Sequence, residues 1–120
     1  MTANRTFLAT TGNGLARAES AANGDWIVEH LIQDQDVRCL TADPLDASIV
    51  YAGTQGNGVL RSDDQGRNWQ EADLPGTIVK SLAVSKSDPG VVYAGTKDPV
   101  CIYVSRDHGA NWTELEGFRS

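Results

Sequence analysis

The chain has 120 residues, 40% of them hydrophobic and 22% charged, a composition near the globular average that indicates neither disorder nor a membrane span. No apolar run approaches the ~20 residues of a transmembrane helix. A net charge of −6 with no basic stripe argues against binding a phosphate backbone, so neither nucleic acid nor membrane is expected as a partner.

In chain order, the opening MTANRTFLATTGNG has no cationic head followed by a long apolar core. No secretory signal is visible, and a cytoplasmic location is expected if Met1 is the native start. Strands are then expected near Thr6–Thr10, Gly14–Ala18 and Trp26–Val28. The next set is Val37–Thr41, Val50–Thr54, Val59–Arg61 and Trp69–Ala72. The last is Val79–Val84, Val91–Thr96, Cys101–Val104 and Trp112–Glu114. Turn-formers separate them: Asp43-Pro44, Gly56-Asn57-Gly58 and Ser87-Asp88-Pro89-Gly90.

These sets are repeats. Ser62-Asp63-Asp64-Gln65-Gly66-Arg67-Asn68-Trp69 recurs 43 positions later as Ser105-Arg106-Asp107-His108-Gly109-Ala110-Asn111-Trp112, two copies of S-x-D-x-G-x-N-W. Tyr51-Ala52-Gly53-Thr54 recurs as Tyr93-Ala94-Gly95-Thr96, and a worn copy, FLATTGNGLAR from Phe7, reads against YAGTQGNGVLR from Tyr51. That alignment sets Phe7 against Tyr51 and Trp26 against Trp69. A period in the low forties with several short β-runs and no helical periodicity is the signature of a four-stranded propeller blade. The expected fold is all-β: an incomplete blade over residues 1–36 that lacks its innermost strand, then full blades over 37–78 and 79–120.

The two octapeptides, the preceding V-x-x-L…V-Y-A-G-T pattern and the period resemble the BNR, or Asp-box, repeats of sialidase-like and xyloglucanase-like β-propellers. The resemblance is strong from Val37 to Glu114. It implies that the octapeptides lie at the turn between third and fourth strands, away from the ligand cleft. The residues support that assignment: Ser62, Asp64, Ser105 and Asp107 can turn oxygens onto backbone N–H groups, Gly66 and Gly109 can take a left-handed turn, and Trp69 and Trp112 can cover the hairpin. The same repeats occur in glycosidases and in binding scaffolds, so the resemblance leaves function open.

Catalytic patterns are scarce. The arginine cluster and Tyr–Glu nucleophile of sialidases are not evident, and Tyr51 and Tyr93 share one repeat position, as packing residues do. Asp36 and Asp98 could flank a cleft as inverting carboxylates ~6.5–9.5 Å apart, or be solvated loop residues. Cys39 and Cys101 occupy different repeat positions and form no disulfide or metal framework, while His30 and His108 stand alone. No cofactor and no metal are expected.

By the strand order of a propeller, the face opposite the octapeptides carries 33–36, 74–77, 12–14, 55–58 and 97–99. On it Asp36, Arg38, Gln55, Asn57, Lys80, Lys97 and Asp98 are the candidate ligand residues, suited to a glycan or a peptide. All three tryptophans fall at octapeptide positions, which leaves none to stack on a sugar. A non-catalytic scaffold or binding module is expected, with a fragment of a propeller glycoside hydrolase as the alternative. Closed propellers have about 4–8 blades, so three need the rest of a longer propeller or further copies of the chain as partners. The Met at position 1 favours the N-terminal part of a longer propeller.

Overall fold

The computed structural model describes residues 5–11, 14–32, 35–74 and 77–115. Eleven strands are present among them: β1 (Thr6–Thr10), β2 (Leu15–Ser20), β3 (Trp26–Leu31), β4 (Val37–Asp43), β5 (Asp46–Thr54), β6 (Val59–Ser62), β7 (Gln70–Glu71), β8 (Ile78–Val84), β9 (Val92–Lys97), β10 (Cys101–Ser105) and β11 (Thr113–Glu114). They form three antiparallel meanders, ordered β1-β2-β3, β4-β5-β6-β7 and β8-β9-β10-β11. The expected partial propeller is what the chain folds into, with three strands in the first blade and four in each of the others. Its extents of 55 × 33 × 20 Å and radius of gyration of 15.0 Å describe an elongated body, since a sphere-like chain of this length would give about 13.6 Å.

Local chemistry sets the hairpins. Between β4 and β5 only Pro44 and Leu45 intervene, and Asp43 accepts from Leu45 N at 2.8 Å, the turn an Asp-Pro start favours. Between β5 and β6 Thr54 Oγ1 donates to Gly58 O at 2.8 Å and accepts from Asn57 N at 2.9 Å. Gly58 has φ +70°, and a Cβ there would run into the carbonyl oxygens of Leu74 and Asp73.

Apolar residues alternate toward the seams between blades. The larger core lies between the second and third blades, where Tyr51, Val59, Ala72, Val79, Val92 and Ala94 are buried and Trp112 packs against them. A smaller core holds Val37, Ala52 and Leu60 against Ile32, Leu40 and Trp69. Tyr51 is fully buried, yet its repeat partner Tyr93 is 40% exposed. Tyr51 faces a following blade; Tyr93 faces the side of the third blade that no described residue covers.

The first blade departs from the repeat alignment. Arg61 pairs with Tyr51, whereas Arg17 pairs with Leu8, because the first hairpin is one residue tighter. A one-residue slip turns every side chain to the other face, so Leu8, not Phe7, occupies the place of Tyr51. A Cβ on Gly66 would touch Leu8, as one on Gly109 would touch Tyr51. The outer strand is displaced too: Glu29 pairs with Arg17 as Gln70 pairs with Arg61, which puts Val28 where Trp69 stands. Trp26 lies two residues earlier, 48% exposed and edge-to-face with Phe7 at 5.6 Å. The expectation that no tryptophan is free on the surface is therefore corrected for Trp26.

Candidate functional site

Each blade has two chemically different ends. The registers Val37↔Thr54 and Ile78↔Lys97 put the starts of β4 and β8 beside the ends of β5 and β9. At this end the connections between blades clamp the β5–β6 turn: Gln55 N donates to Asp36 O at 2.9 Å, and Gly56 N and Gly58 N donate to Thr77 O at 3.0 and 3.2 Å. Gln55 also bridges to Ile78, the partner of Lys97.

Asp36, Arg38, Gln55, Asn57, Lys80, Lys97 and Asp98 thus lie at the same strand ends of the second and third blades. Arg38 and Lys80 each sit in a bulge, since the register steps from Val37 to Cys39 and from Val79 to Ser81. A bulge re-aims its unpaired residue, and both cations are exposed. Arg38 Nη2 meets Asp36 Oδ2 at 2.8 Å, with the side chains 46% and 35% exposed. A pair this open contributes below about 1 kcal/mol; its effect is to orient the guanidinium. Asn57 Nδ2 reaches Gln35 Oε1 at 3.4 Å. Asp98 has a left-handed backbone at φ 55° and stands in the β9–β10 turn, where Thr96 Oγ1 donates to Pro99 O at 2.9 Å.

Among the described residues no hydrogen bond or ion pair links Lys80, Lys97 or Asp98 to the Asp36–Arg38 pair. No group of three or more His, Cys, Asp and Glu there could hold a metal. Residues 12–13, 33–34 and 75–76, which complete the expected loop set, lie outside the described residues.

At the other end the two octapeptides superimpose bond for bond. Ser62 Oγ donates to Asp64 Oδ1 at 2.7 Å and accepts from Gly66 N at 2.8 Å; Ser105 repeats this at 2.8 and 2.8 Å with Asp107 and Gly109. Asp64 Oδ1 accepts from Asn68 N at 2.8 Å and Oδ2 from Asn68 Nδ2 at 2.6 Å; for Asp107 and Asn111 the distances are 2.9 and 2.7 Å. These donors from Asn68 and Asn111, with the serine hydroxyls, hold both carboxyls at a pKa of about 2. Each tryptophan donates its indole N–H to the glycine carbonyl of its own octapeptide, Trp69 at 2.8 Å and Trp112 at 3.1 Å.

Two features lie outside the candidate site residues. Arg17 is 1% exposed, with Nε donating to Gln65 O at 3.0 Å and Nη1 to Glu19 at 3.0 Å, and Glu19 also takes Arg67 at 3.2 Å. Hydrogen bonds from Arg17 and then Arg67 lower the Glu19 pKa. The matching arginines at 17 and 61 were visible, but nothing local says that one would be buried. The second feature is a cavity of about 620 Å³ between β1 and the β4–β5 hairpin, walled by Phe7, Leu8, Leu40, Ala42, Ala47 and Val50. The absent innermost strand of the first repeat was its sequence signal.

These sheets and their seams define a partial β-propeller with a polar turn end and an octapeptide end. No family model matches the chain. It is similar to the xyloglucanase Xgh74A of Acetivibrio thermocellus, 28% identical in a 117-position alignment that takes in 78% of this chain and 14% of that protein. Among solved structures, the GH74 xyloglucanase from Xanthomonas campestris superposes with a TM-score of 0.63 at 19% identity, over 95% of this chain and 22% of that one. YCF48 bound to D1 peptide gives 0.61 at 19% identity, over 87% of this chain and 34% of that one. The chain thus spans about a seventh of that curated relative.

Proposed function

We propose that the chain is a three-blade segment of a propeller that hydrolyses xyloglucan, a glycoside hydrolase whose catalytic groups lie mostly outside these 120 residues. Similarity to a xyloglucanase across 78% of the chain carries this reading. On it, Asp36, Arg38, Gln55, Asn57, Lys80, Lys97 and Asp98 border the polysaccharide cleft, and the octapeptides are Asp-box turns that form the fold. Reducing-sugar release from xyloglucan by the product of the intact reading frame tests it. Release lowered at least about 10-fold by Arg38→Ala and Lys80→Ala together, in a protein that still folds, is expected; absence of hydrolysis in a folded product overturns it.

A non-catalytic scaffold for a peptide or other polar ligand is the second reading. It is favoured by short turns at the polar end and by two tryptophans engaged in their own octapeptides. A neighbour described as bound to a peptide shares the fold. Saturable peptide binding at the polar end with no hydrolysis would select it.

A further inference from the structure

The β2–β3 turn stands where the other blades carry their octapeptides, and its chemistry is different. In the octapeptides the glycine comes first and the asparagine two residues later, as Gly66-Arg67-Asn68 and Gly109-Ala110-Asn111; here Asn23 directly precedes Gly24. Asn23, Gly24 and Asp25 are all exposed. Gly24 has φ +89°, and a Cβ built on it meets nothing within 4 Å, so nothing crowds its amide nitrogen. Asp25 N donates to Asn23 Oδ1 at 3.0 Å, and Asn23 Nδ2 donates to Asp25 Oδ2 at 3.0 Å. The first of these bonds polarises the side-chain carbonyl and sits where negative charge gathers when that carbon is attacked. Gly24 N donates to Ala21 O at 3.0 Å, a bond closed within the same turn and so released by local opening.

We propose that Asn23 is a self-modification site, which converts through a cyclic imide to aspartate and isoaspartate. The Gly24 nitrogen attacks Asn23 Cγ, forming a C–N bond and closing a five-membered ring. The Cγ–Nδ2 bond breaks, and Nδ2 leaves as ammonia with the proton that the Gly24 amide gives up. Water then adds to one of the two imide carbonyls and opens the ring, leaving a carboxylate and one more negative charge than the −6 of the unmodified chain. Opening at one carbonyl restores the ordinary backbone as aspartate; opening at the other routes the backbone through the side-chain carbons as isoaspartate. The other described Asn-Gly pair, Asn57-Gly58, is held against the same reaction. Gly58 is buried, its N donates to Thr77 O at 3.2 Å and its O accepts from Thr54 N at 3.0 Å. Carbonyl oxygens of Leu74 and Asp73 crowd it, and among the described residues no donor reaches Asn57 Oδ1. Freeing the Gly58 nitrogen requires opening the clamp between blades, whereas freeing that of Gly24 opens one turn.

The test incubates the 120-residue chain at mildly alkaline pH in heavy-oxygen water, in native buffer and in denaturant, then digests it with trypsin in ordinary water for mass spectrometry. Cleavage after Arg17, Arg38 and Arg61 places Asn23 in the 18–38 peptide and Asn57 in the 39–61 peptide. In the native chain Asn23 is expected to convert at least about 10-fold faster than Asn57, and in denaturant, where neither turn is held, the two rates should agree within about 3-fold. Each converted 18–38 peptide should carry one heavy oxygen, and isoaspartate should appear beside aspartate in its fragmentation. A smaller native ratio overturns the proposal. So does a native Asn23 rate at least about 10-fold below its own rate in denaturant, because the folded turn would then protect the amide.

Discussion

Trp112 donates its indole N–H to Ala72 O at 2.7 Å, joining the third blade to the outer rim of the second across the seam. Trp69, the same residue one repeat earlier, bonds within its own octapeptide at 2.8 Å. Trp112→Ala should therefore cost about 3 kcal/mol, the lower end for a large aromatic that is not fully buried. Trp69→Ala should cost about 1 kcal/mol less, the value of one hydrogen bond. Urea unfolding of the two variants checks this, and equal losses would show that the bond across the seam contributes nothing.

Acid should act through the octapeptides. Asp64 and Asp107 have folded pKa values of about 2, depressed below the ordinary ~3.9. Their contribution is present above about pH 4 and is lost as pH falls toward 2, because the unfolded chain takes up those protons first. Asp64→Asn with Asp107→Asn removes the titration while keeping an acceptor oxygen. Thermal melts from pH 5 to pH 2 should then fall less steeply than those of the parent chain. Asp64→Ala should lower the melting temperature with no selective loss of a ligand activity, and a stable Asp64→Ala protein lacking only that activity would contradict this.

Gly53 has no spare room. A Cβ there would lie 2.5 Å from Cys39 Sγ and 2.7 Å from Val79 Cγ1, inside the seam between β4 and β8. Gly53→Ala should cost about 1–3 kcal/mol by overpacking. Adding Cys39→Ala should recover part of that, a coupling that a double-mutant cycle on chemical denaturation would read.

Thiol chemistry should be slow in the native chain. Burial raises the Cys39 pKa, and Cys101 is 1% exposed; both are free cysteines. A disulfide-exchange reagent should label two thiols rapidly in denaturant and neither rapidly in buffer. Fast labelling of Cys39 at neutral pH would show that the seam opens.

Assembly should depend on salt. The uncovered faces carry Phe7, Trp26 and Val28 on the first blade and Tyr93 on the third, all between 40% and 56% exposed. A net charge of −6 should hold copies apart at low salt and let them associate once salt screens it. Light scattering across concentration and salt reads this directly. A monomer at high concentration and high salt would mean the faces are not adhesive.

The second and third blades were legible because their cues are redundant. Val50–Thr54 and Val91–Thr96 both carry Val-Tyr-Ala-Gly-Thr before a glycine-rich or proline-bearing turn, and the octapeptide ends each third strand. Bounds moved by one or two residues at most ends, though β5 begins four residues early, at Asp46, because the two-residue turn lets pairing extend to it. The first blade misled because residue identity aligned Phe7 with Tyr51, whereas strand register depends on how many residues the turn consumes. The polar end was legible as topology, but not the bulges that turn Arg38 and Lys80 outward, since those depend on pairing across the ladder. Burial of Arg17 was illegible for the same reason: its acceptor, Gln65 O, is 48 residues away.

The bond from Trp112 to Ala72 runs backward along the chain. A ribosome releases about 5–20 residues each second, so one 43-residue repeat takes roughly 2–9 s to appear. The tryptophan comes near the end of its repeat, after the rim that it grips has already emerged. The third blade can therefore latch onto the second as soon as it is complete, so this seam can close in the order of synthesis.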